Sequence, residues 1–320
     1  MKGLLYSIMI ALFVMPILAL VIFYSQITTP QNIDTSIRAD ELQYLSNSIE
    51  EDLARFIQIN GKRAIIASVS MVITNGKGLD NASLRLAEVV ENGTLYGNLT
   101  FVDQKNLTIW EKNISSIAAS LGFNISFSNS LTTVTQNDSF DVLFNTTLYN
   151  VNISDANAEM GILKNISVTT VVSVEGIEDP IYANKTYVNI SIPIRKSPFN
   201  KYSDINNPAD LSNLTLDIIN GYYHSSNKGA SFLDRLEGKV ILSQKYQPYG
   251  LESFIYLPNL TSGFQSSTLS DLDYQFWTST HGYLLNNSYQ SYNPAVYSWF
   301  RMDILTENDY GLNNTLNQTT

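Results

Sequence analysis

The sequence predicts an α+β chain: an N-terminal transmembrane helix, a helical subdomain, then an antiparallel β-rich, sandwich-like part. Three observations carry this expectation. Leu4–Tyr24 holds no charged residue. Apolar residues then recur at helical spacing up to residue 122. From Phe123 onward, apolar and polar residues alternate in runs rich in Val, Ile, Thr and Phe.

The first segment, 1–25, reads as a signal-anchor. Its 21 uncharged residues, Leu4–Tyr24, match the ~20 that a helix needs to cross ~30 Å of hydrocarbon. That run exceeds the h-region of a cleaved signal, and no A-x-A site follows it. Pro16 is expected to kink the span, not to end it. Lys2 lies at one end, whereas Asp34, Asp40 and Glu41 lie beyond the other. The positive-inside rule thus predicts a cytoplasmic N-terminus and an extracellular bulk, with the lipid bilayer contacted through residues 4–24.

Residues 26–33, with Thr28-Thr29-Pro30, read as a linker. A helical subdomain is expected over 34–122. Leu42, Leu45, Ile49, Leu53 and Phe56 share one helix face, and Gly61 reads as a break before the buried run Ala64–Ile73. Asp80-Asn81 opens a short helix carrying Leu84, Leu86, Val89 and Val90, closed by Asn92-Gly93. Asn106 caps another, with Trp110, Ile114, Ile117, Ala118 and Leu121 inward.

An antiparallel β domain is expected over 123–197. Its strands are Phe123–Phe127, Phe140–Phe144, Leu148–Ile153, Ile166–Val174 and Tyr187–Ile194, and Gly176–Pro180 reads as a turn between two of them. A mixed, aromatic-rich region, 198–312, is expected to pack on it. There Asp210–Tyr223 has helical spacing, Ser231–Gly238 reads as a capped turn, and Ser253–Leu257 and Tyr297–Ile304 are short strand candidates. Residues 313–320 form a polar tail.

Charge and composition exclude several function classes. The net charge of -10 leaves no basic face to displace counterions from nucleic-acid phosphates. There is no cysteine, hence no disulfide, zinc–thiolate site, iron–sulfur cluster or thiol nucleophile. In an exported chain, that absence leans prokaryotic.

Seventeen Asn-x-Ser/Thr acceptors begin at Asn81, Asn92, Asn98, Asn106, Asn113, Asn124, Asn137, Asn145, Asn152, Asn165, Asn184, Asn189, Asn213, Asn259, Asn286, Asn313 and Asn317. With 33 Asn, chance gives about six. The excess points to glycan-bearing Asn outside the cytoplasm; an Asn- and Thr-rich β-protein is the plain alternative.

No motif in the sequence carries a recognisable chemistry. His224 and His281 stand far apart without a zinc-motif partner. No G-x-S-x-G elbow, Walker loop or dinucleotide fingerprint is present. Glu175, Glu178 and Asp179, or Asp271 with Asp273, are acidic turns that could take Ca²⁺, but neither has an EF-hand's ligand count. The aromatics of the last third (Tyr222, Tyr223, Tyr246, Tyr249, Tyr256, Tyr274, Phe276, Trp277, Tyr283, Tyr289, Tyr292, Tyr297, Trp299, Phe300) read first as core and second as sugar-stacking rings. No catalytic, cofactor-binding or metal residue is therefore assigned, and no cofactor is expected.

Five strings, Arg38-Ala-Asp-Glu-Leu-Gln-Tyr44, Gly61-Lys-Arg-Ala-Ile65, Ser173-Val-Glu-Gly-Ile-Glu-Asp-Pro180, Ser231-Phe-Leu-Asp-Arg-Leu-Glu-Gly238 and Tyr249-Gly-Leu-Glu-Ser253, resemble those of archaeal membrane-anchored surface proteins. The resemblance runs from the anchor to about residue 312 and implies an anchor, helices and a β-rich ectodomain, without an activity. Lys2-Gly3 before Leu4–Tyr24 is also similar to the prepilin-peptidase junction of archaeal type IV pilins. Ile8 stands where that pattern has Glu, and Thr28-Thr29-Pro30 falls where it has one unbroken helix. The expectation is a non-catalytic, archaeal-type cell-surface glycoprotein, structural or adhesive, working with envelope or pilus-like proteins. A membrane-tethered hydrolase or a solute- or carbohydrate-binding ectodomain is the alternative.

Overall fold

A computed structural model describes residues 2–155, 157, 160–186, 192–200, 202, 211–256, 268–286, 298–312 and 315–317, with side chains from residue 38 on. It is α+β, with one long N-terminal helix that is apolar over its first third, and antiparallel sheets. By internal contacts the chain forms two compact units. One is Met1–Leu53, Lys112–Asn129 and Leu148–Ile166; the other is Ala54–Glu111, Ser130–Thr147 and Ser167–Thr320.

Helix α1 runs unbroken from Lys2 to Asn75, which corrects two expectations. Residues 26–33 are helical, not a linker. One proline removes a single backbone donor, and a long helix survives that by bending locally. Nor does Gly61 break the helix. It sits where a Cβ would lie 3.0 Å from Val172 Cγ2 and 3.1 Å from Phe144 Cε2, so the missing side chain lets a sheet approach the helix backbone. Buried residues recur along α1 at Leu42, Ser46, Ile49, Leu53, Ile57, Asn60, Ala64, Ser68 and Val72. Steps of three and four keep them on one stripe. The stretch Arg38–Asn75 is also long and apolar enough to cross a membrane, but half of its apolar window is buried inside the protein, as suits a core helix.

Helix α2 (Ala82–Asn92) forms as its caps predict: the Asn81 side chain accepts from Leu84 N, and Gly93 closes it in the left-handed region. Leu86, Val89 and Val90 are buried, whereas Leu84 faces solvent. A small hairpin, β1 (Thr94–Leu95) with β2 (Asn98–Leu99), follows. Asn106 caps α3 (Leu107–Ser120) by accepting from Ile109 N. Trp110 and Ala118 are buried, but Ile117 and Leu121, expected inward, are 57% and 62% exposed. With Tyr44 and Leu45 they line a shallow apolar groove.

The main sheet has four strands: β3 (Phe123–Ser126), β4 (Asn129–Gln136), β5 (Asp141–Asp155) and β6 (Gly161–Ser173). All of the others pair with β5, and β3 does so antiparallel, from Phe123↔Asp155 to Ser126↔Asn152. The two strands expected at 140–144 and 148–153 are thus one. Inward residues of β5 are Val142, Phe144, Thr146 and Leu148, then Val151, Ile153 and Asp155. The phase shifts by one at Asn150, whose φ of 52 places the extra residue of a bulge.

Beyond β6 the turn at Gly176 leads to a helix, α4 (Pro180–Thr186), and not to a second strand; proline suits the first helical turn. The strand expected at Tyr187–Ile194 lies largely outside the described residues. Then come α5 (Ser212–Asn220), β7 (Tyr223–Ser226), α6 (Phe232–Leu236), β8 (Gly250–Ser253), α7 (Asp273–Trp277), β9 (Tyr283–Leu284) and β10 (Arg301–Met302). β7 pairs with β8 and β9 with β10, so the described sheets beside the main one are small. Phe254, Leu272, Phe300, Met302 and Leu312 form a core among these short elements.

The close approach at Gly61 gives a test. Gly61→Leu is expected to destabilise the protein by about 2 kcal/mol or more through overpacking, read as a lower urea midpoint at unchanged slope; an unchanged midpoint would show that Phe144 and Val172 do not abut this helix.

Candidate functional site

A hydrogen-bonded pair of short strands positions the most feature-rich cleft of the described residues. Antiparallel register sets Tyr223 against Ser253, His224 against Glu252 and Ser226 against Gly250. The turn after β7 packs backbone to backbone: a Cβ on Gly250 would stand 2.1 Å from the Gly229 oxygen, and one on Gly229 2.2 Å from the Leu251 oxygen. Only glycine fits at either place. The cleft, about 460 Å³, opens between this pair, residues 196–200 and the 3₁₀ turn Glu307–Tyr310.

Its inner wall is a set of committed polar groups. Asp217, buried on α5, accepts from Ser197 Oγ at 2.6 Å and from His224 Nε2 at 3.0 Å. A carboxylate can only accept, so it holds the imidazole proton on Nε2, where the Tyr202 hydroxyl also makes contact. Glu252 accepts from Ser226 Oγ at 2.6 Å and from the Tyr310 hydroxyl. Burial pushes the Glu252 carboxyl above its usual range, and these two donors recover only part of the shift. Ser226 Oγ also accepts from the Lys228 and Gly229 amides, both at 3.0 Å.

What this wall can do follows from that count. A nucleophilic hydroxyl needs a base with a free lone pair beside it. Here Ser197 gives its proton to Asp217 instead of His224, and Ser226 has all its bonds filled. The rim differs. Lys196 lies 5.4 Å over the Phe140 ring, Lys228 pairs with Asp309 at 3.3 Å, and Asn200, Ser225 and Asn227 are exposed.

Next to the cleft lies a buried ionic centre. Arg235 on α6 donates from Nη1 to Asp179 at 2.5 Å and from Nη2 to Asp273 at 2.6 Å. Its Nε reaches the Ala230 carbonyl and a second Nη2 hydrogen the Leu251 carbonyl, and Tyr223 OH donates to Asp179 at 2.8 Å. Burial alone would lower the guanidinium pKa; the two carboxylates outweigh it and raise it. Burial also raises Asp273, against the pull of Arg235.

The acidic turns take other partners in the fold. Asp179 and Asp273 are bound to a guanidinium, Glu175 is exposed, and buried Asp271 accepts from Arg301 N at 2.6 Å. Among the described residues no group of three or more His, Asp or Glu could hold a metal. His224 belongs to the cleft, and His281 stacks edge-on against Tyr283 at 4.9 Å.

The described late aromatics divide between the core and its margin. Tyr223, Tyr246, Tyr274, Phe276 and Phe300 are buried; Tyr222, Tyr249, Tyr256, Trp277, Tyr283 and Trp299 are half-buried; Tyr289, Tyr292 and Tyr297 lie outside the described residues.

Of the sequon residues, Asn92, Asn98, Asn113, Asn124, Asn137, Asn145, Asn152, Asn165 and Asn286 are exposed. Asn81, Asn184, Asn213 and Asn317 are half-buried, and Asn189, Asn259 and Asn313 lie outside the described residues. Asn106 alone among those described is buried, its amide donating to the Asn92 and Asp103 carbonyls.

Sequence reasoning missed both the cleft and Arg235. One signal was present: an arginine inside Phe232-Leu-Asp-Arg-Leu236, a string otherwise read as a capped turn. Against known proteins the chain finds no match among family models, curated proteins or solved structures.

Two tests follow. Arg235→Met is expected to cost about 3–5 kcal/mol in chemical denaturation, because it strands two buried carboxylates; adding Asp179→Asn and Asp273→Asn should recover much of that. The second concerns pH. Burial raises Asp271 well above the carboxylate range in the folded protein. A raised folded pKa favours folding fully below the unfolded value, ~3.9, and that contribution is lost as pH rises through the folded value. Asp271→Asn should therefore flatten the decline in stability between acidic and alkaline pH; an unaltered pH profile would contradict the assignment.

Proposed function

We propose that this chain is a non-catalytic surface glycoprotein of archaeal type, tethered to the membrane through Leu4–Tyr24, with its bulk outside the cell. Its role on this reading is structural or adhesive, within the envelope or a pilus-like assembly. The observation that carries the reading is the placing of the acceptors: nine of fourteen described sequon asparagines are exposed, and one is buried. Glycosylation needs an accessible Asn outside the cytoplasm, and the exposed strand positions meet the first of those requirements.

Two further features support it. The uncharged first third of α1 has the length of a bilayer span, and α1 then continues without interruption to Asn75. That continuity removes one departure from the pilin pattern; Ile8, in place of the pilin Glu, remains the other. The commitment of Ser197 and Ser226 to structural bonds favours a role without catalysis. The cleft supports a second reading, a tethered solute-binding ectodomain, over a tethered hydrolase.

Intact mass, N-terminal sequencing and glycopeptide mapping of protein from its native membrane test the proposal. Glycan is expected on exposed strand positions such as Asn124, Asn145, Asn152 and Asn165, with Asn106 bare. A mature start at Leu4 would favour the pilus-like subunit, and an intact Met1 the simple anchored glycoprotein. A chain with no glycan overturns the reading.

A further inference from the structure

The cleft beside β7 has a charge balance and a division of labour that together select a ligand class. Its volume, about 460 Å³, falls within the ~300–1,000 Å³ usual for small-molecule sites. Its charged lining residues are Lys196, Lys228, Glu252 and Asp309, so the formal charges cancel. An anionic ligand meets no surplus of positive charge. A cationic one finds no free carboxylate, since both Glu252 oxygens hold hydroxyl donors and Asp309 is paired with Lys228. An apolar ligand would desolvate a polar wall.

What remains is a neutral molecule rich in hydroxyls. Each hydroxyl both donates and accepts, and the groups that match it are amides and hydroxyls. Those stand at the rim: Asn200, Ser225 and Asn227 are exposed, and their side chains hydrogen-bond to no other side chain or carbonyl among the described residues. Half-buried Phe199, edge-on to Tyr222 at 6.3 Å, adds an aromatic surface beside them for the C–H face of a pyranose ring. Behind it, the hydrogen bonds made by Asp217, His224 Nε2, Ser226 and Glu252 hold the wall in one arrangement.

We infer that this cleft binds a neutral sugar, one or two rings in size, through the Asn200, Ser225 and Asn227 side chains, with Phe199 against a ring face. The inference rests on reading the cleft as a binding site and is independent of the membrane anchor and of the chain's own glycans.

Saturation-transfer NMR on the full chain in lipid nanodiscs tests it, with glucose, galactose, mannose and N-acetylglucosamine as probes and glutamate, phosphate and spermidine as charged controls. At least one neutral sugar is expected to bind saturably, and Asn200→Ala with Asn227→Ala to weaken it about tenfold. Phe199→Ala should weaken it too, while Lys77→Ala, outside the cleft, leaves it intact. The inference fails if no neutral sugar binds, if a charged control binds in their place, or if binding survives the asparagine double variant in protein that retains its unfolding transition. Failure here leaves the glycan and N-terminal measurements untouched, so the two readings fall separately.

Discussion

The C-terminal half is organised around one guanidinium. Arg235 is fully buried, and a buried cation is tolerated only when its charge is paired and its donors are met. Pairing the charge and four of the five N–H donors fixes where five elements stand. Asp179 stands just before α4, Tyr223 lies on β7, Arg235 on α6, Leu251 and Ser253 on β8, and Asp273 opens α7. Each contributes to the same small volume: Tyr223 OH to Asp179, Ser253 Oγ to Asp273, and the Leu251 carbonyl to Arg235. These elements are four to seven residues long, too short to be stable alone. One shared set of directional bonds therefore links all five.

The cleft inherits its rigidity from that centre. Tyr223 is held by Asp179, so the next residue, His224, emerges toward Asp217, and the β7–β8 register sets Glu252 opposite it. The Gly229–Gly250 contact then brings the turn close enough for Ser226 to reach Glu252. Buried polar groups that are fully satisfied stiffen a wall, whereas the same groups left partly satisfied would invite water or chemistry. The wall's carboxylates and Ser226 are hydrogen-bonded within the fold, whereas Asn200, Ser225 and Asn227 at the rim are exposed.

The long helix and its sheet follow a different logic. Beyond Leu53, up to Val72, the inward stripe of α1 is made of Ile, Asn, Ala, Ser and Val, and Gly61 lets Phe144 and Val172 press against the helix backbone. Small residues trade transfer energy for close packing. The bulge at Asn150 matters as much to the surface as to the core. Asn145 and Asn152 are seven residues apart, an odd number that would set them on opposite faces of a regular strand. One extra residue between them changes the phase, and both are exposed.

The sequence by itself determined what acts within a few residues. The apolar run Leu4–Tyr24, the caps at Asn81 and Asn106, the stop at Gly93, the Ser231 cap of α6 and the alternation of β3, β5 and β6 were all legible, because helix ends and strand faces are set by neighbours along the chain. Tertiary structure decided the rest. Pro30 and Gly61 looked like breaks, yet α1 passes through both. Ile117 and Leu121 fitted a buried stripe, but their exposure depends on what packs against α3. Nothing local pairs Arg235 with Asp179 and Asp273, 56 and 38 residues away, and the acidic turns could pass for cation sites until the chain closed around an arginine. Local propensity is additive along the chain; charge compensation in a buried volume belongs to the whole fold, and there the sequence is silent until the chain has closed.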